Sequence, residues 1–126
     1  LRQEDITWRG HAIQCRLNAE DPKEFIPSPG RLWNCHFPSG FGIRCDTHAY
    51  PGYEMPSCFD SLLAKLLTWG HDREDAISRM RTALDETVIE GVDNLIPLHR
   101  RIMDEDDFLA RDITIQYIEG HEELLG

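Results

Sequence analysis

The sequence contains no C-x-x-C pair, no Gly-rich phosphate loop, no internal repeat and no apolar run long enough to cross a bilayer. Each absence narrows the chemistry. Without a membrane-length segment, and with no secretory leader visible, the expected setting is the reducing cytoplasm. Basic residues are scarce, with 13 Lys and Arg against 23 Asp and Glu and a formal net charge of −10. A phosphate-backbone partner needs a net basic face, so neither nucleic acid nor membrane is an expected partner. The four cysteines, Cys15, Cys35, Cys45 and Cys58, are expected as reduced thiols packed as small hydrophobes. A zinc set can be drawn from Cys35-His36 and Cys45-x-x-His48, but adjacent residues on a strand face opposite sides, so no metal site is expected. The 126 residues amount to one domain, short for a complete nucleotide-using enzyme, and the first Met is Met55. The expectation is a piece of a longer protein.

What is present is organised around Gly10–Pro22, which reads as an alternating strand followed by a polar knot. Ile13, Cys15 and Leu17 fall on one face, and Ala12, Gln14, Arg16 and Asn18 on the other. Asn18, Glu20 and Asp21 close the run. A strand whose polar face carries one arginine, followed by two carboxylates, can hold a fixed cation at the edge of a site. Arg16 is therefore the candidate for chemistry, and two readings of it stand: a catalytic cation, or an anchor paired with Glu20 or Asp60.

Around this run the chain reads as short strands followed by helices. Ile6 and Trp8 are expected to begin strand alternation. Asp21 caps a helical turn that Phe25 and Ile26 pin to the core, and Pro27-Ser28-Pro29-Gly30 turns the chain. Trp33, Cys35 and Phe37 form the inward side of a second strand. Ile43 and Cys45 point inward from a third, and Tyr53–Met55 makes a fourth after Pro51-Gly52. Ser61–Trp69 is apolar and too short for periodicity to separate strand from helix. A helix capped by Asp72, with Asp75 three residues on, buries Ile77, Met80, Leu84 and Val88 and stops at Gly91. A second helix starts near Pro97 and buries Leu98 and Ile102, ending in solvated acid at Asp104–Asp107. Ile113, Ile115 and Tyr117 alternate in the tail. With no β-α-β alternation in the first half, the fold class is α+β, an antiparallel sheet with helices packed on it.

The run Gly10-His-Ala-Ile-Gln-Cys-Arg-Leu-Asn-Ala-Glu-Asp-Pro22 closely resembles the opening of the C-terminal domain of biotin carboxylase. The resemblance continues through Pro27-Ser-Pro-Gly30, Gly40-Phe-Gly-Ile-Arg44, His48-Ala-Tyr-Pro-Gly-Tyr53, Phe59-Asp-Ser61, Lys65, Arg73–Met80 and Pro97–Ile102. It covers nearly the whole chain, in order, with the biotin carboxylase of a bacterial-type acetyl-CoA carboxylase looking nearest. The sequence departs from the family's common residues at Ser39, at Ser57-Cys58 and at Asp93-Asn94-Leu95, where an anion replaces a cation.

The resemblance implies that residues 1–126 are the C-terminal domain of an ATP-dependent ligase whose ATP-grasp part lies outside this chain. ATP, Mg2+ or Mn2+ and bicarbonate would be bound mainly by that part, and biotin on a carrier protein or domain would be the substrate. Carboxylation of that biotin is the first half-reaction of a biotin-dependent carboxylase such as the acetyl-CoA carboxylase of fatty acid biosynthesis, and a separate carboxyltransferase would use the product. Carried over by motif, Arg16 matches the arginine that faces the ureido oxygen of biotin, and Asp60 an aspartate that lines the site. Ile115 matches an aliphatic residue packed on the adenine ring. Phe41 and Arg44 match positions at a homodimer interface. The competing expectation is a scaffold or dimerisation module that keeps the Phe41/Arg44 surface and has lost the chemistry.

Overall fold

The computed structural model describes residues 1–57 and 60–126, so the expectations for Cys58 and Phe59 lie outside the described residues. Three strands form the main sheet: β1 (His11–Asn18), β4 (Ile43–Thr47) and β6 (Leu62–Gly70). Their order is β1-β6-β4, antiparallel throughout. Two small antiparallel pairs flank it: β2 (Gly30–Arg31) with β5 (Glu54–Met55), and β3 (Asn34–His36) with β7 (Val88–Glu90). The helices are α1 (Arg73–Glu86), α2 (Ile96–Asp104) and α3 (Asp106–Ala110). This is the expected α+β class.

The ambiguous Leu-rich run is the central strand. Paired on both edges, β6 alternates between buried Leu66 and Thr68 on one face and half-exposed Lys65 and Leu67 on the other. The covered face meets α1, whose Ile77, Met80, Ala83 and Leu84 pack against Cys15, Leu17, Leu63 and Leu66. Full burial of each Leu, Ile or Met side chain among them contributes about 1.5–3 kcal/mol. Burial also pushes the Cys15 thiol up to about 12, which keeps it protonated and inert. Asp72 caps α1 by accepting from the Asp75 amide at 2.8 Å, and Asp75 accepts from the His71 amide at 3.0 Å. The reciprocal cap forms as read, shifted by one residue on its return arm.

Several expectations fail for identifiable reasons. Ile6 and Trp8 do not begin a strand; a 3-10 turn at Gln3–Asp5 precedes them, and Trp8 is 92% exposed. Asp21 does cap a turn, accepting from the amides of Lys23 and Glu24 at 2.8 Å. Phe25 leaves that turn at positive φ and stays exposed with Ile26, so neither pins it to the core. Trp33 points outward and Leu32 is fully buried, because the chain changes partner between β2 and β3 and the alternation does not run through. Helix α1 ends at Glu86, not at Gly91. The β-branched Thr87-Val88-Ile89 run extends instead and pairs with β3. Gly91, at φ +113, lies against the Arg31 carbonyl, where a side chain would not fit. The tail forms turns and a short 3-10 segment at Glu122–Leu125, with no strand.

Candidate functional site

The solvent-facing side of the main sheet is set by register. Arg16 of β1 stands opposite Lys65 of β6, which stands opposite Asp46 of β4. Directly opposed residues share a face, so these three form one polar row across the sheet. The neighbouring row is Gln14, Leu67 and Arg44. β1 thus presents Arg16 because Cys15 and Leu17 on either side are drawn into the core.

The Arg16 guanidinium is half exposed and reaches Asp60 at 3.8 Å. A pair that long and that solvated is worth about 0.2–1 kcal/mol and, among the described residues, leaves most of the five N–H donors without a partner. Asp60 also accepts from the Leu62 amide at 2.8 Å, at the start of β6. Glu20, the other carboxylate considered for Arg16, is taken by Asn18 Nδ2 at 2.8 Å and by the Ser61 hydroxyl. Arg16 and Asp60 are therefore brought together, and Glu20 is not part of that pair.

Arg44, on β4, lies at the far edge of the same face, and Phe41 precedes that strand in the chain. Phe41 is 98% exposed, with its carbonyl held by Arg79 at 2.8 Å. Arg44 donates to Asp46 at 2.9 Å, which raises the arginine's pKa and lowers the carboxylate's. Beside them an open groove of about 270 Å3 is lined by Ala12, Gly42, Ile43, Arg44, Leu67 and Trp69. A half-exposed tryptophan and an arginine around an apolar groove, with an exposed phenylalanine next in the chain to the lining Gly42, have the composition of an interface core.

Ile115 is fully exposed on the tail. The tail nearby closes a second groove of about 290 Å3 between Ile13, His99, Met103, Phe108 and Tyr117. Among the described residues, the one group of carboxylates and histidine close enough to share an ion is Glu105, Asp107 and His121. Its atoms are already engaged. Glu105 accepts from the amides of Asp107 and Phe108 and from the Tyr117 hydroxyl at 2.6 Å, and His121 meets Asp107 at 3.1 Å. The acid run expected to be solvated is in part a cap for α3 and a clasp for the tail. No Cys–His cluster occurs among the described residues, and Cys15, Cys35 and Cys45 are free thiols.

Two residues carry more than the sequence suggested. Lys65 shares the row with Arg16, a placement that only the register reveals. His99 donates through Nε2 to the Arg16 carbonyl at 2.8 Å, a contact across 83 positions that no local pattern signals.

The fold is an α+β domain whose main sheet presents Arg16 beside Asp60 on its solvent-facing side. The family model for the biotin carboxylase C-terminal domain matches residues 14–120, and the chain belongs to that family. It is 50% identical to the biotin carboxylase of Haemophilus influenzae over 119 residues, 94% of this chain and 27% of that protein. The biotin carboxylase domain dimer of the Hydrogenobacter thermophilus 2-oxoglutarate carboxylase, in complex with MgADP, ADP and bicarbonate, superimposes with a TM-score of 0.95. That match has 43% identity and covers 100% of this chain and 28% of that one. The complete multifunctional pyruvate carboxylase of Rhizobium etli superimposes with a TM-score of 0.94 at 38% identity, over 99% of this chain and 12% of that one. The chain spans about a quarter of the length of the curated relatives it matches.

Proposed function

We propose that residues 1–126 are the C-terminal part of a cytoplasmic biotin carboxylase and supply one wall of its biotin site. The remaining length carries the ATP-grasp part, which binds ATP, the divalent metal and bicarbonate. Removing the N1' proton of biotin leaves negative charge on the ureido oxygen, and Arg16 is the fixed cation that stabilises it. A guanidinium suits this role because it stays charged throughout the working pH range and presents planar donors. The observation that carries the reading is the Arg16 side chain itself, fixed by an ordered strand yet only loosely paired with Asp60. Asp60 lines the site and steers the guanidinium, and Ile115 offers an aliphatic wall to the adenine ring.

The biotin arrives on a carrier protein or domain, and a carboxyltransferase passes the carboxyl group to an acceptor such as an acyl-CoA or a 2-oxo acid. In the full-length protein, Arg16→Gln should lower the rate of biotin carboxylation on the order of 100- to 1,000-fold with the circular dichroism spectrum unchanged. A near-wild-type rate would leave Arg16 a strand anchor.

The apolar groove with Phe41 and Arg44 is the homodimer surface in this reading. Arg44→Glu places a carboxylate beside Asp46 on both sides of a twofold contact and should shift the protein towards monomer in sedimentation velocity. Unchanged sedimentation would remove that surface from the dimer.

A further inference from the structure

Among the described residues β1 pairs with β6 along one edge only, so its other edge would leave backbone groups without strand partners. Helix α2 meets that edge. The Leu95 amide donates to the Asn18 carbonyl at 3.3 Å, and His99 Nε2 donates to the Arg16 carbonyl at 2.8 Å. The spacing explains why one helix serves both. Carbonyls two residues apart on a strand point from the same edge and lie about 6.8 Å apart, while residues four apart on a helix advance about 6 Å on one face. Leu95 and His99 form the first turn of α2, closed by the His99 amide on the Leu95 carbonyl at 3.0 Å.

The helix is itself fixed. Leu98 and Met103 are buried, and Asn94 accepts from the Ile96 amide at 3.1 Å, filling the cap position that Leu95 cannot. His99 is half-buried, and desolvation, outweighing the contact with the Arg16 carbonyl, lowers its pKa, so it donates as a neutral ring and adds no charge beside the guanidinium.

We propose that His99 is a positioning residue for Arg16: its Nε2–H holds the peptide plane from which the Arg16 side chain departs. The inference rests on the catalytic reading of Arg16. Asp60 grips the guanidinium only at 3.8 Å, so the accuracy with which Arg16 meets the biotin oxygen depends on its backbone. Angular freedom at that peptide is amplified along the long side chain, and misplacement by about 1 Å can cost on the order of 100-fold in rate.

The test uses the full-length protein and three variants. His99→Leu fills the space without a donor and should lower kcat for biotin carboxylation about tenfold with KM for ATP unchanged, a loss within the range that misplacement can produce. His99→Gln restores an N–H donor at similar reach and should recover most of that loss, whereas a mere packing role predicts no such rescue. The double variant Arg16→Gln/His99→Leu should be no slower than Arg16→Gln alone, because His99 acts only through Arg16. If His99→Leu does not fold, His99→Asn, whose amide is too short to reach, takes its place with the same expected loss. A wild-type kcat in the Leu or Asn variant, failure of Gln to rescue, or additivity in the double variant would overturn the inference. A wild-type rate in Arg16→Gln alone would overturn the reading beneath it, so the two failures are distinguishable.

Discussion

The seam between β1 and α2 and the clasp between α3 and the tail are each closed by a histidine, on opposite electrostatic terms. His99 meets a carbonyl in a desolvated position that disfavours its charged form. His121 meets the Tyr117 carbonyl at 2.8 Å and the Asp107 carboxylate at 3.1 Å, and its ring stacks on Tyr117 with centroids 4.3 Å apart. The Tyr117 carbonyl first, and then Asp107 with the nearby carboxylates, raise its pKa. The strand that bears Arg16 is thus held by a neutral donor, and the tail that bears Ile115 by a titrating cation. The sheet that presents Arg16 is secured by contacts indifferent to moderate alkali. The tail is secured by contacts that respond to it.

The comparison can be broken most forcefully from beneath the seam. Leu17 is fully buried between Arg16 and Asn18. Leu17→Ala in the intact protein should destabilise this part by about 2–5 kcal/mol, read as an earlier midpoint in urea. An unchanged midpoint would mean that the strand is not anchored by its core face.

A smaller effect sharpens the contrast by pH. For His99 the folded pKa lies below the ordinary 6.5, so the unfolded chain takes up the proton first. Its contribution is intact above that value and falls as pH drops through it. For His121 the folded pKa lies above 6.5, so its contribution is complete below that value and is lost as pH rises through the folded pKa. Amide exchange of tail residues 113–121, corrected for intrinsic rate, should lose protection as pH rises from slightly acid to mildly alkaline, while β1 amides hold theirs. His121→Phe, which keeps the stacked ring, should abolish the tail's pH dependence. Equal responses from both regions would remove the distinction.

How much was legible in the sequence follows the range of each interaction. The two faces of β1 could be read from Ile13, Cys15 and Leu17 against Gln14 and Arg16 because alternation is local and the strand is eight residues long. The caps at Asp21 and Asp72 were legible for the same reason. Leu32 and Trp33 were inverted because β2 and β3 are too short for a period to establish itself. The end of α1 was misplaced because the pull on Val88 and Ile89 comes from Asn34–His36, more than fifty positions away. At the site, Arg16 and Asp60 were both named, yet the choice between Asp60 and Glu20 depended on Ser61 and Asn18 claiming Glu20. His99 could not be found at all from pattern, since its partner is a backbone carbonyl and carbonyls leave no trace in residue identity.

The order β1-β6-β4 also has a bearing on biogenesis. β1 and β4 never touch as strands; each waits for β6, which is synthesised last of the three. At about 5–20 residues per second, several seconds separate the emergence of β1 from that of its partner. Through that interval the nascent chain offers two unmated strand edges, and the ribosome-proximal segment that ends at Gly70 completes the sheet in one event.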